Sequence, residues 1–148
     1  MKYTHYSDVH VFECSKAEWK KRWPNFSPKE LSCKCCGEYW HDEITLDMIQ
    51  NARNEYGSMI INSAHRCEKH NHLIGGAKAS EHLKIALDIK CERKKRRKLL
   101  TALFNAGFTT FGLYNTFIHT DKRPWRLWIM SDKRIWESIY DEVVKRAE

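Results

Sequence analysis

Ile61-Asn62-Ser63-Ala64-His65-Arg66-Cys67-Glu68-Lys69-His70-Asn71-His72-Leu73-Ile74-Gly75-Gly76-Ala77-Lys78-Ala79-Ser80-Glu81-His82-Leu83-Lys84-Ile85-Ala86-Leu87-Asp88-Ile89 is the stretch that decides the fold. Met59-Ile60-Ile61 at its start predicts a buried strand, and Ile85 to Ile89 predicts a second one. Between them, residues 68–74 predict one or two helical turns that end at the flexible corner Gly75-Gly76. His82 and Asp88 flank the second apolar run. Further on, Phe117-Ile118-His119-Thr120-Asp121 places His119 and Asp121 at alternate positions, so that both project from one face of a strand. Eight histidines in 148 residues justify a search for ligands, because neutral imidazole binds zinc readily. Two histidines and one carboxylate, with the fourth position left to water, form the open arrangement of hydrolytic zinc. Taken singly, each histidine reads first as a hydrogen-bonded packing residue, and only its surroundings make it a ligand candidate.

Outward from this stretch the chain alternates helices and short strands without a regular βαβ rhythm. Ser27-Pro28-Lys29-Glu30 has the form of a capping box and predicts a short helix before Cys33. Leu46, Ile49, Ala52 and Tyr56 recur at helical spacing and stop at Gly57. Residues 92–106 predict a helix with Leu99, Leu100, Leu103 and Phe104 on one face. Strands are predicted around 116–121 and 126–130. Asp132 is read as the cap of a last helix, with Ile135, Trp136, Ile139, Tyr140, Val143 and Val144 as its apolar stripe. The fold class expected is α+β, a small antiparallel sheet flanked by helices with mostly hairpin connections.

The stretch 61–82 closely resembles the signature of the D-Ala-D-Ala carboxypeptidase-like zinc peptidases, which include VanY-type carboxypeptidases and phage L-alanyl-D-glutamate endopeptidases and share a fold with the Hedgehog signalling domain. The matching features are Ser63-Ala64-His65-Arg66-Cys67, Asn71, Gly75-Gly76, and Ser80-Glu81-His82 leading to Ala86-Leu87-Asp88. His119-Thr120-Asp121 followed by Arg126 and Trp128 is similar to the family's closing hairpin, and Phe26 to Cys33 looks like the opening of one branch. The resemblance covers about residues 24–130. It makes 1–148 one peptidase-like domain to which an N-terminal arm, 1–23, and a C-terminal helix, 132–147, are additions.

The resemblance implies one zinc ion held by His82, Asp88 and His119. It implies that Arg66 steadies a substrate carbonyl or carboxylate, a task suited to a planar, permanently charged donor, and that Ser80 hydrogen-bonds substrate or a residue behind the metal. The acid that many members carry three residues before the last histidine is replaced by Thr116, so Asp121 is the candidate base, or else a group that supports a zinc ligand; pairing with Arg123 or Arg126 is its structural reading. The family usually has six residues, a glycine among them, between the first histidine and the aspartate. Here there are five and no glycine. An extended chain would carry His82 and Asp88 roughly 20 Å apart at about 3.3 Å per residue, so either the turn between them is rebuilt or the site is damaged, and a rebuilt turn is the expectation.

The implied activity is zinc-dependent hydrolysis of a peptide bond in peptidoglycan stem peptides, of the D-Ala-D-Ala carboxypeptidase or L-Ala-D-Glu endopeptidase type, and a phage-type lysin is one form of it. The alternative is a non-catalytic wall- or peptide-binding module on the same fold. A net charge of +7 suits anionic wall polymers. Lys90 and Arg93 to Lys98 read as the solvated start of a helix or as a polyanion-binding run, and no nucleic-acid module accompanies them. No apolar run is long enough to span a bilayer, and the first residues lack the apolar core of a secretory signal. Synthesis in the cytoplasm, release to the wall by a separate route, and a monomer are expected. Cys33, Cys35 and Cys36 are read as too closely spaced for a Cys-x-x-Cys knuckle. A structural zinc shared with Cys67 and redox-silent thiols both stay open. His70 and His72 are read either as a second metal site with Cys67 or as exposed or capping residues; His5, His10, His41 and His65 show no ligand spacing.

Overall fold

The computed structural model describes residues 2–5 and 14–147, and the side chains of 14–146. His10 and the side chain of His5 lie outside that description. The chain runs β1 (Lys2–His5), α1 (Lys16–Arg22), α2 (Pro28–Leu31), β2 (Glu38–His41), α3 (Glu43–Tyr56), β3 (Ile61–Ser63), α4 (Glu68–Leu73), β4 (Leu87–Lys90), α5 (Arg96–Asn105), β5 (Thr110–Leu113), β6 (Phe117–Asp121), β7 (Arg126–Ile129) and α6 (Lys133–Val143). It is mixed α+β. β1 and β2 form an antiparallel pair, and the main sheet has the order β3-β4-β6-β5-β7.

The hairpin expectation fails at the last strand. β6 is already flanked by β4 and β5, so β7 joins the free edge of β5 and runs parallel to it. The connection bends at Trp125, which takes the left-handed conformation with φ 44°. The first strand also starts later than Met59. Ile60 is exposed, and pairing begins at Ile61, with a register irregularity before Ser63.

Helix ends follow local chemistry. The Ser27 hydroxyl accepts from the Glu30 N–H at 3.1 Å. Asp42 accepts from the N–H groups of Ile44 and Thr45, and α3 stops at Gly57 with φ 102°. Asp132 departs from expectation. It sits at φ 49° without capping α6 through its side chain, and its carboxylate instead pairs with Arg96 at 2.8 Å. Arg96 is buried, lies over the Trp136 ring at 4.7 Å and donates to the Asn115 carbonyl at 2.8 Å. The basic run is therefore not wholly solvated, because one of its members braces α6. Ile135 points to solvent, leaving Trp136, Ile139, Tyr140 and Val144 as the inner stripe.

One face of the main sheet is apolar. Leu87, Ile89, Phe111, Leu113 and Ile118 are buried in a cluster with Leu46 and Ile49 of α3, Leu99 and Leu103 of α5, and Trp136 of α6. Trp19 and Trp23 of the N-terminal segment enter the same cluster. Trp23 donates to Asp47 at 2.8 Å, docking α1 on α3. The opposite face carries a row of aligned residues: Ser63 beside Asp88, Asp88 beside His119, His119 beside Gly112, and Gly112 beside Trp128. Gly112 is required there, since a Cβ would lie 2.4 Å from the Trp128 ring. No helix among the described residues is long and apolar enough to cross a membrane.

Candidate metal centre

His82 sits in a 3-10 turn, Glu81–Leu83, whose first N–H groups are met by Ser80: its hydroxyl accepts from the His82 N–H at 3.2 Å. The ring is 2.6 Å from the Ala64 carbonyl through Nδ1. A carbonyl only accepts, so Nδ1 carries the proton and Nε2 keeps its lone pair. That Nε2 faces Asp88 Oδ1 at 3.2 Å. His119 is fixed the other way round: Nε2 meets Asp121 Oδ2 at 2.8 Å, and Nδ1 faces the same Asp88 oxygen at 2.9 Å. Each ring is thus anchored by one nitrogen and offers the other. The three donor atoms lie within 4.8 Å of one another. Tetrahedral zinc with bonds near 2.0–2.1 Å needs donors about 3.3 Å apart, and the Asp88 oxygen already stands near that distance from both ring nitrogens.

Electrostatics make Asp88 an anionic ligand, while the proton favoured on His119 is one that a metal ion must displace. Burial opposes ionisation of Asp88, yet its hydrogen bonds to His119 and His82 hold the carboxyl well below the usual range. Burial likewise opposes a charged His119, and Asp121 and Asp88 outweigh it, raising the ring above its ordinary value.

The shortened His82–Asp88 connection is rebuilt without glycine. The 3-10 turn is followed by Lys84 at φ −110°, and no residue from 82 to 88 takes a positive φ. His65 pins this turn. Its Nδ1 lies 2.6 Å from the Lys84 carbonyl and its Nε2 3.0 Å from Glu38, with the Trp40 ring stacked on it. Ligand spacing passed over His65; the useful signal was its place beside Arg66, opposite a turn that had lost its glycine.

Asp121 is buried behind His119. Its Oδ1 accepts from the Arg123 backbone and Nε at 3.0 and 2.8 Å, and its Oδ2 faces His119 and Arg123 Nη2, both at 2.8 Å. Against the cost of burial, these contacts hold its carboxyl far below the usual range. Asp121→Asn is expected to lower zinc affinity about 10- to 100-fold, the usual cost of losing a ligand's outer partner; competition with a coloured chelator measures it.

A cavity of about 480 Å³ opens in front of the three donors, lined among others by Arg66, Ser80, Glu81, Tyr114, Phe117 and Trp128. Arg66 and Ser80 meet there, Nη2 donating to the hydroxyl at 3.0 Å. Arg66 Nε is buried without a partner. Burial lowers its pKa against the pull of Asp88. Trp128 tilts over His119 at 5.1 Å and donates to the Tyr114 hydroxyl, while Tyr114 stacks on Phe117. Glu81 lines this cavity, whereas Asp121 does not. Sequence reasoning missed Glu81, although it stands directly before His82. Thr116 is exposed in the turn before β6.

The grouping of Cys67 with His70 and His72 does not form. Among the described residues Cys67 converges instead with Cys33 and Cys36.

Two imidazoles and a carboxylate that converge beside a polar and aromatic cleft are a candidate donor set for a metal ion. The family model described as Peptidase M15 matches residues 24–121. The chain belongs to that family, whose peptidases are zinc-dependent. No curated protein matches the chain.

Proposed function

We propose that this protein hydrolyses a peptide bond in the stem peptides of bacterial peptidoglycan, with zinc held by His82, Asp88 and His119. The observation that carries the reading is the shared cleft, lined both by three converging donors and by Arg66, whose Nε is buried without a partner. When bound, zinc supplies Lewis acidity and a water of lowered pKa. Arg66 then holds the carbonyl or terminal carboxylate of the stem peptide, a planar donor for a planar acceptor. Ser80 fixes the arginine fork through its hydroxyl. Tyr114, Phe117 and Trp128 form an apolar wall that orients the chain of the peptide and keeps water from its flank.

Proton transfer falls to Glu81. It is the carboxylate in the cleft that the metal set leaves unused, whereas both oxygens of Asp121 are engaged behind His119. Asp121 keeps the role of fixing the His119 tautomer. The net charge of +7 favours approach to an anionic wall.

Zinc-loaded protein is expected to cleave purified muropeptides and to lose that activity with a chelator. Released free D-alanine identifies a carboxypeptidase; new glutamate amino termini identify an endopeptidase. Binding to muropeptides without either product would establish the non-catalytic module instead.

A further inference from the structure

We propose that Cys33, Cys36 and Cys67 hold a second, structural zinc ion that ties the turn before β2 to the loop carrying Arg66. The three sulfurs lie within 4.8 Å of one another, Cys67 being far in sequence from Cys33 and Cys36 but brought to them by the fold. Zinc–sulfur bonds near 2.3 Å place tetrahedral sulfurs about 3.8 Å apart, so the cluster is close to its required size. Thiolates suit zinc better than they suit hard cations.

The backbone has the form such a site needs. Cys33-Lys34-Cys35-Cys36-Gly37 does contain a Cys-x-x-Cys pair, Cys33 with Cys36, which corrects the reading of the run as too tight. Gly37 follows at φ 77°, a conformation glycine adopts freely. The Gly37 N–H donates to the Cys33 carbonyl at 2.9 Å, and the Cys33 N–H to the Glu38 carbonyl at 2.7 Å, closing a tight loop. The His70 N–H donates to the Cys67 sulfur at 3.3 Å. N–H donors stabilise thiolates rather than neutral thiols. They are the outer partners that a metal-bound sulfur uses.

Two residues are candidates for the fourth position. The Cys35 sulfur contacts Cys67, and His70 stands three residues after Cys67, one helical turn on. Arg66 precedes Cys67 directly and lines both the cleft of the candidate centre and a cavity of about 780 Å³ beside the thiols. The ion would therefore hold the arginine's backbone in place.

The full chain, expressed with zinc and purified under reducing conditions, tests this by metal content and by a mercurial, which attacks thiolates and not imidazoles. His82→Ala should empty the candidate catalytic centre yet retain one equivalent of zinc, released by the mercurial. The cobalt-loaded form of that variant should show sulfur-to-cobalt charge-transfer absorption. Cys33→Ser or Cys67→Ser should lose one equivalent, and whichever of Cys35→Ser and His70→Ala weakens binding names the fourth ligand; no effect from either assigns that position to water. Should the cysteine variants fail to fold, the mercurial and cobalt measurements on His82→Ala decide alone. A His82→Ala protein without mercurial-released metal, or without the charge-transfer band, overturns the proposal. Loss of muropeptide cleavage alone bears on the catalytic reading and leaves this one standing.

Discussion

His119→Ala is expected to leave a folded protein that no longer holds the catalytic zinc and no longer cleaves stem peptides. The ring occupies the centre of the row Asp88–His119–Gly112 and supplies one of the three donors that converge there among the described residues. With two donors left, the ion loses a ligand that Asp121 and Arg123 hold in register. Lewis-acid activation is worth several kcal/mol. At tenfold for each 1.4 kcal/mol or so, its loss lowers kcat/KM by about 10³-fold or more. The fold should survive, because the side chain faces the cleft and the apolar layer lies on the other side of β6. Two hydrogen bonds disappear, and Asp121 keeps Arg123 while Asp88 keeps His82, so destabilisation of the metal-free protein should stay near 1–3 kcal/mol. Metal analysis, muropeptide cleavage and thermal unfolding of the same preparation check all three statements. A variant that cleaves at the parent rate would place the chemistry elsewhere.

What the sequence made legible were features set within a few residues. The period-two placement of His119 and Asp121 put both on one face, and the structure joins them at 2.8 Å. The Ser27 and α3 signals are equally local, a hydroxyl over the next turn and a glycine at a helix end. What stayed hidden depends on partners distant in the chain. Asp132 is a plausible cap by composition, but Arg96 lies 36 residues away and takes its carboxylate. β5 went unpredicted because Thr110–Leu113 is short and includes Gly112, a residue that weakens a strand pattern; its reason for being there is the Trp128 ring, visible only once β7 lies beside it. β7 itself turned parallel because β6 had no free edge. Likewise nothing in the spacing of His65 announces its bond to the Lys84 carbonyl, since that bond answers a turn built from other residues.

The same distinction governs the choice of proton acceptor. Spacing favoured Asp121, two residues from His119, yet its Oδ1 already accepts twice from Arg123 and its Oδ2 faces both His119 and Arg123, which leaves no lone pair turned to the cleft. Glu81 lines the cleft, and its nearest cation, Arg123 Nε, stands 4.0 Å away, at the limit of an ion pair. Glu81→Gln keeps the size of the side chain and its place in the 3-10 turn while removing its ability to take a proton. The expected result is a fall in kcat of about 10²- to 10⁴-fold, the usual worth of a general base, with zinc content and KM for muropeptides close to the parent's. Asp121→Asn should show the opposite pattern, weaker metal binding and activity largely restored by excess zinc. If Glu81→Gln turns over like the parent while Asp121→Asn stays inactive at saturating zinc, the assignment reverts to Asp121, and the Arg123 contacts must then open during catalysis to free one of its oxygens.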